Sequence, residues 1–407
     1  MSFVGYACSR CGGRFTPEQA TYRCPKGCEN LDVVLDFSAA QKQDISQSRD
    51  PSLWRYAPLL PVEVPPDEAG PLRGVGGTPL YAAPRGAARL GLGQLWLKDE
   101  GRMPTGSLKD RASAVVVQRA KAIGAPRVIT ASTGNAGVAL AAMAPCAGVE
   151  AIIVVPETAP AGKLAQLAIF GARVVLVKGS YDDAFEVSDA AARELGWYCR
   201  NTAHNPFTVE GKKTVAFEIA EQLSWRAPEW VVVSVGDGNI LVGVHKGFRE
   251  LVEIGFIDRM PKILGVQAEG SSPIARAFEA GTDVIEPVVT HTLADSIAAG
   301  KPADGPRALR AVRDTEGAFV IVSDDEILAA IAALGADAAV FAEPAAAAAY
   351  AGLERARVGG IVPAGAEVVT LVTGNGLKDV AAATRAARHV APVIDPTLDA
   401  LRAALGV

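Results

Sequence analysis

Short apolar runs rich in β-branched residues recur along the chain, and most are followed by a turn and an alanine-rich stretch with helical spacing. Strands apolar on both faces that alternate with helices are typical of parallel sheets covered on both sides. The pattern therefore predicts an α/β protein. The predicted strands are 127–131, 151–155, 173–177, 230–235, 263–266 and 368–372, and the predicted helices include 109–122, 138–147 and 181–195.

The N-terminal 36 residues differ from the rest, because they are rich in cysteine and too short to bury a core. Cys8 and Cys11 form one close pair, and Cys24 and Cys28 form a second. With glycines in or beside both pairs, this spacing resembles a zinc ribbon and predicts a structural zinc site. A metal-free ribbon and a redox pair remain as alternatives. A catalytic zinc is not expected, because four thiolates leave no open position.

Charge and hydropathy narrow the function classes. The 407 residues carry a formal net charge of −5, so no broad basic surface for nucleic acid is expected. No apolar run approaches the roughly 20 residues that a membrane span needs. The start of the chain lacks the layout of a secretory signal. We therefore expect a cytoplasmic protein that binds neither nucleic acid nor membrane.

Residues 104–111, Pro-Thr-Gly-Ser-Leu-Lys-Asp-Arg, combine a turn with the start of a predicted helix. Ser107 is placed to cap this helix, and Lys109 then lies in its first turn. The positive end of the helix macrodipole disfavours the protonated form of an amine there. Lys109 is therefore a candidate nucleophile toward an aldehyde, although the residues alone also allow a solvated surface lysine.

Three further turns follow predicted strands and are rich in glycine and small polar residues. The first, Ser-Thr-Gly-Asn at 132–135, has backbone N–H groups that can approach an anion closely. The second, Gly-Asp-Gly-Asn at 236–239, opens a helix and can hold a phosphate, whereas Leu241 excludes a dinucleotide fingerprint. The third begins at Thr373. Taken alone, the first and third would be ordinary turns.

In this order, the motifs resemble those of the threonine-synthase-like family of fold-type-II pyridoxal-phosphate (PLP) enzymes. The resemblance extends over about residues 5–385 and includes Glu343-Pro344 before an alanine-rich stretch. It implies a tryptophan synthase β-like fold, with two parallel-sheet α/β domains and the zinc-ribbon-like segment. It also implies a homodimer that acts on a small amino acid.

The resemblance gives each motif a role. Lys109 would carry PLP as a Schiff base and serve as the general base. Asn135 and Thr373 would hold the ring, and the threonine hydroxyl would leave the ring nitrogen largely unprotonated. The side chain of Asp237 is expected to point away from the cofactor phosphate. The other implied residues are Gly236, Asp237, Gly238, Asn239 and Ile240 for the cofactor and Ser132, Thr133, Gly134 and Thr105 for the substrate.

The implied activity is that of threonine synthase, which converts O-phosphohomoserine and water to threonine and phosphate, or of a relative with an altered substrate. Many relatives carry an arginine for the substrate phosphate where this chain has Thr208. Lys163, Arg200 or Lys212 could replace it. The alternative is a β-eliminating or β-replacing enzyme, such as a serine/threonine dehydratase or a cysteate-synthase-like enzyme, because residues 292–295 are similar to a dehydratase pattern.

The resemblance and the composition together also predict domain boundaries. A proline-rich stretch after residue 37 indicates a connecting arm with one short helix. The predicted parts are a zinc-ribbon-like segment at 1–36, the arm at 37–75, a large PLP-binding domain at 76–114 and 205–390, a small α/β domain at 115–204, and a C-terminal tail at 391–407.

Overall fold

A computed structural model of the chain describes residues 3–159, 161–387 and 391–407, so the last three residues of the predicted large domain lie outside the described residues. The strands are β1 Phe3–Cys8, β2 Arg14–Phe15, β3 Leu31–Leu35, β4 Leu80–Ala82, β5 Gln94–Asp99, β6 Arg127–Ala131, β7 Glu150–Pro156, β8 Arg173–Val177, β9 Tyr198–Cys199, β10 Trp230–Ser234, β11 Lys262–Ala268, β12 Ala318–Val322 and β13 Glu367–Val372. The α-helices are α1 Lys42–Gln47, α2 Pro84–Leu90, α3 Lys109–Ala122, α4 Asn135–Cys146, α5 Ala161–Ile169, α6 Tyr181–Glu194, α7 Phe207–Lys212, α8 Thr214–Gln222, α9 Asn239–Glu253, α10 Pro273–Glu279, α11 Gly305–Asp314, α12 Asp324–Ala338, α13 Pro344–Val358, α14 Val380–Ala386 and α15 Leu398–Leu405.

The larger sheet has six strands in the order β12-β11-β10-β13-β5-β4. All neighbours in it are parallel except β4, which pairs antiparallel with β5. The central strand β10 is buried along its whole length. Val231 and Val233 belong to the core layer that contains Phe248 of α9, whereas Val232 belongs to the opposite layer with Tyr350 of α13. This double burial is why the strand reads as an unbroken apolar run.

The smaller sheet has four parallel strands in the order β8-β7-β6-β9. Val128 and Ile153 face the core beneath α3 and α4, and Ile129 and Ile152 face α6. Each fully buried aliphatic side chain of this kind stabilises the fold by roughly 1.5–3 kcal/mol relative to exposure. The predicted α/β architecture with two parallel sheets is confirmed, while the predicted domain boundaries stay a prediction.

The N-terminal segment forms a three-stranded antiparallel sheet in the order β2-β1-β3. Its apolar residues Tyr6, Leu31 and Val33 are buried in the core layer that also contains Leu140 of α4. The segment therefore shares the core of the main body, as expected for a piece too short to form its own.

The connecting arm is more ordered than predicted. Besides α1, it contains 3₁₀ helices at Leu53–Leu59 and Asp67–Leu72. The reason is aromatic burial: Trp54 and Tyr56 are almost fully buried, and the indole N–H of Trp54 donates to the Leu72 carbonyl at 2.9 Å. No helix in the described residues has the length and apolar character needed to cross a membrane.

Candidate active site

A narrow cavity is lined by residues from turns and helix starts, some of which directly follow strands of the two parallel sheets. Its wall includes Lys109 in the first turn of α3, Asn135 at the start of α4 and Thr373 directly after β13. Ile240 near the start of α9 and Glu343 just before α13 also line it. The structure therefore brings together four of the residues predicted for the site, which are far apart in the sequence.

The helix that carries Lys109 begins differently from the prediction. Leu108 is the N-cap residue, and no side chain caps the helix there. The assignment of Ser107 as the cap is wrong, because Ser107 pairs with Gly374 as an isolated bridge and Leu108 donates its N–H to the Thr373 carbonyl at 2.9 Å. The hydroxyl of Ser107 is left buried with no hydrogen-bond partner among the described residues. The chain after β13 thus holds Lys109 in place.

The electrostatic surroundings of Lys109 favour a neutral amine. Burial lowers the pKa of Lys109 below its usual value. Asp237 and Glu343 act in the opposite direction, and Arg200 adds to the lowering. The direction agrees with the prediction, and removal from water is the largest cause. A neutral buried amine is the nucleophilic form.

The turn at 236–239 lies at the N-terminus of α9, a 15-residue helix. Gly238 has a φ of 95°, and a Cβ at Gly236 would lie 2.9 Å from the Ile297 Cα, so both positions need glycine. The side chain of Asp237 does not point away as expected: its Oδ1 accepts from the Asn239 N–H at 3.0 Å. The correction has a simple cause, since an Asp two residues before an unpaired helix N–H can accept from it.

Of the residues predicted to bind substrate, the turn 132–134 lies next to the cavity residue Asn135, whereas Thr105 does not line the cavity. The turn 132–134 is partly exposed next to Asn135, and Ser132 Oγ accepts from the Gly134 N–H at 3.2 Å. Thr105 is not brought to the cavity wall. Its N–H donates to Asp110 at 2.7 Å, and its hydroxyl also donates to that carboxylate. Thr105 therefore shapes the turn before Lys109.

Glu343 was expected only as part of a motif, and the structure places it in the cavity wall. Its Oε1 accepts from Asn135 Nδ2 at 2.8 Å. A Cβ at Gly374 would lie 2.3 Å from that oxygen, so the glycine leaves room for the carboxyl group. Burial raises the pKa of Glu343 to about 7. The signal available in the sequence was Glu343 directly before Pro344 and the alanine-rich first half of α13.

We expect the substitution Glu343→Gln to flatten the dependence of stability on pH. The pKa of the Glu343 carboxyl is about 7 in the folded protein and about 4.5 in the unfolded chain. This difference stabilises the fold fully below pH 4.5, where the carboxyl is protonated in both states. This stability is lost as the pH rises through 7, at a cost of roughly 3 kcal/mol. Glutamine can still accept from Asn135 but cannot ionise. Calorimetric midpoints at pH 5 and pH 8 should therefore differ more in the wild type, and equal differences would contradict a protonated Glu343.

Three cations proposed as replacements for the missing arginine occupy distinct places. Lys212 and Arg200 are fully buried, and both interact electrostatically with Lys109. Lys163 lies further out, with its Nζ 2.9 Å from Asp295, the neighbour of the cavity residue Ser296. Thr208 offers no charge, and its hydroxyl donates to the Asn205 carbonyl at 2.7 Å.

The four N-terminal cysteines converge on one point. The sulfur atoms of Cys8, Cys11, Cys24 and Cys28 all lie within 4.8 Å of one another, and those of Cys11 and Cys24 are 3.8 Å apart. A tetrahedral zinc ion with Zn–S bonds of about 2.3 Å separates its sulfur ligands by about 3.8 Å. The arrangement fits such an ion.

Comparison with known proteins identifies the family. Residues 72–374 match the family described as pyridoxal-phosphate dependent enzyme. The chain belongs to this family. Among curated members, it is 38% identical to threonine synthase of Methanosarcina acetivorans over 402 residues, covering 98% of each chain. It is also 38% identical to threonine synthase of Methanocaldococcus jannaschii over 388 residues, 94% of this chain and 95% of that one.

Solved structures of other enzymes share the fold. Threonine deaminase isoform 2 from Solanum lycopersicum matches with a TM-score of 0.65 at 24% identity, over 76% of this chain and 83% of that chain. Diaminopropionate ammonia lyase from Escherichia coli matches with a TM-score of 0.65 at 19% identity, over 79% and 92%. The predicted fold type is confirmed. This family member is a PLP-dependent enzyme of the threonine-synthase-like kind.

The residues of the site fit this cofactor. Lys109 provides a buried amine with a lowered pKa. Such an amine can react with the aldehyde group of PLP. The turn at 236–239 provides a helix N-terminus for a phosphate. Thr373 and Asn135 provide polar groups on the same cavity wall as Lys109. The bound PLP would supply the electron sink that stabilises negative charge on the substrate α-carbon.

Proposed function

We propose that this enzyme is a threonine synthase, which converts O-phosphohomoserine and water to threonine and phosphate. The observation that carries the proposal is the 38% identity to threonine synthase of Methanosarcina acetivorans over 98% of both chains. The cations near the cavity add to it. A substrate with a phosphate group needs positive charge around its side chain, and Arg200 and Lys163 can provide it, whereas burial lowers the pKa of Lys212 well below its usual value.

Each residue has a defined task in this proposal. Lys109 holds the cofactor and, once released, takes the proton from the substrate α-carbon, because burial lowers the pKa of its amine and so favours the neutral form that accepts a proton. The N–H groups and hydroxyls of the turn 132–134 bind the substrate carboxylate. Asn135 and Thr373 orient the cofactor ring, and residues 236–240 bind its phosphate. The buried walls keep bulk water away from the reacting carbon.

The experiment that tests the proposal follows two products of the holoenzyme supplied with O-phosphohomoserine. Phosphate and threonine should form in equal amounts, because each turnover releases one of each. Serine and threonine are tested in parallel. Formation of 2-oxo acids and ammonia from these amino acids, with no phosphate released from O-phosphohomoserine, would contradict the proposal and favour the dehydratase alternative.

We also propose that the four cysteines hold one structural zinc ion. Four thiolates at tetrahedral spacing leave no position for a substrate, so the ion would stabilise the N-terminal sheet. A cytoplasmic homodimer, with the domain boundaries given above, completes the proposed description of the enzyme.

Metal analysis of the purified protein is expected to give about one zinc per chain. The substitution Cys11→Ser should abolish stoichiometric zinc, because a hydroxyl is a much weaker ligand than a thiolate. Cys146→Ser is the matched control, since Cys146 lies in α4 and bonds the Ala142 carbonyl. Zinc that is absent from the wild type, or unchanged by Cys11→Ser, would contradict the site.

A further inference from the structure

A buried chain of hydrogen bonds connects the four-cysteine segment to the turn at 236–239. It begins at Asn30, which lies two residues after Cys28. The side chain of Asn30 is almost fully buried. Asn30 Nδ2 donates to Asp304 Oδ1 at 2.9 Å and to the Ala303 carbonyl at 3.1 Å. The segment thereby reaches the residue just before α11.

Asp304 holds the turn by both its backbone and its side chain. Its N–H donates to the Asp237 carbonyl at 2.9 Å, and its Oδ2 accepts from the side-chain amide of Asn239. Asp304 is completely buried, and Arg307 joins it to Asp32 of β3. Two separate contacts thus link the N-terminal sheet to this carboxylate.

The chain continues from the turn to a buried lysine. Asn239 Oδ1 accepts from Lys212 Nζ, and both residues are fully buried. Lys212 lies close enough to Lys109 for each charge to affect the other, as does Asp237. The side chain of Asn239 therefore fixes the position of the Lys212 amine beside the turn.

The turn has no room to adjust on its own. Gly238 has a φ of 95°, and a Cβ there would lie 2.9 Å from both the Asp304 carbonyl oxygen and the Ala308 Cβ. Helix α11 therefore packs directly against the turn. A shift of Asp304 must move the backbone N–H groups of the turn, because close-packed groups transmit displacement.

We propose that Asn30 and Asp304 are positioning residues for the cofactor phosphate, so that the four-cysteine segment helps to shape the phosphate-binding turn. The proposal rests on the assignment of residues 236–239 to that phosphate. The side chains of Asn30, Asp304, Asn239 and Lys212 are all buried, and breaking a buried hydrogen bond to a charged group is costly. The N-terminal segment then acts on the active site from a distance, without contacting the substrate.

The test compares two ligands of the cofactor-free, full-length protein: PLP and pyridoxal, which lacks the phosphate. Asn30→Ala should weaken PLP binding by about three- to tenfold, and Asp304→Asn by about tenfold or more. Pyridoxal binding should not change, since the lost contacts act through the phosphate. The ³¹P resonance of bound PLP should shift in both variants.

The matched control is Arg310→Ala. Arg310 also joins the N-terminal segment to α11, through Glu29 at 2.6 Å, but it is not part of the chain to the turn. Its PLP affinity should stay within about twofold of the wild type. An equal loss in Arg310→Ala and Asn30→Ala, or an equal loss for PLP and pyridoxal, would overturn the positioning role.

Gly238→Ala separates failure of this inference from failure of the site assignment. If Gly238→Ala weakens PLP binding and Asn30→Ala does not, the turn binds the phosphate but the N-terminal segment does not position it. If Gly238→Ala has no effect, the assignment of the turn fails, and the inference fails with it. Should Asn30→Ala lose its metal, Asp304→Asn gives the same comparison from outside the segment. None of these measurements depends on which amino acid is the substrate.

Discussion

Replacing Lys109 with alanine is expected to lower turnover by at least about a thousandfold, the contribution typical of a general base in an enzyme. The variant should also lose the covalent link to PLP, so the cofactor should wash out on dialysis. The reason is that Lys109 is the lysine among the described residues that line the cavity, and burial lowers the pKa of its amine.

The measurement has two parts. Borohydride reduction followed by mass analysis should find the cofactor attached to Lys109 in the wild type and to no residue in Lys109→Ala. Lys121→Ala is the matched control, because Lys121 is exposed in the last turn of the same helix. Full activity in Lys109→Ala, or attachment to Lys212 in the wild type, would contradict the assignment.

Replacing Arg111 with alanine is expected to cause the largest loss of stability, about 3–5 kcal/mol, because it leaves the buried Glu100 without an ion-pair partner among the described residues and Glu218 with Lys98 alone. Arg111 Nε lies 2.7 Å from Glu100, and its Nη1 lies 2.6 Å from Glu218. Lys98 Nζ also lies 2.7 Å from Glu218. The side chains of these four residues are at most 4% exposed, so water cannot replace the lost guanidinium.

The pH dependence of this loss has a definite sign. Burial acts to raise the pKa of Glu218, but the charges of Arg111 and Lys98 hold it below its usual value. The stability from this pairing is therefore present above the unfolded pKa of about 4.5 and is lost as the pH falls further below it. Thermal midpoints of the wild type and Arg111→Ala should accordingly differ most at neutral pH and converge in acid.

An exposed ion pair provides the control for Arg111→Ala. Arg127 and Glu150 are 2.6 Å apart, with side chains 42% and 33% exposed. Arg127→Ala should cost no more than about 1 kcal/mol. If both substitutions lowered the midpoint equally, the buried cluster around Arg111 would not be the stabilising feature that its geometry indicates.

Some features of the site could be predicted because their signals are local. Glycine and small polar residues directly after strands 127–131 and 230–235 indicated turns that can approach an anion, and the structure places both at helix starts. The start of α3 near Lys109 was also predicted. Its cap was not, because Ser107 pairs instead with Gly374, which lies far along the chain.

Other features could not be predicted from local patterns. Glu343 meets Asn135 across 208 positions of sequence, and Asn30 meets Asp304 across 274. No local sequence pattern indicates either contact, since carboxylate and amide side chains are mostly exposed to solvent in folded proteins. The fold alone decided that these polar groups are buried together.

The sequence by itself determined six strands of the two parallel sheets, three of the helices and the turns after several strands, because apolar periodicity and backbone preferences act within a few residues. It also determined the cysteine spacing and the lysine motif. Only the tertiary structure decided which turns share a cavity, where Asp237 directs its carboxylate and how the N-terminal sheet reaches the turn at 236–239. These outcomes depend on the packing of distant segments, where burial sets both the cost of an unpaired polar group and the partner that satisfies it.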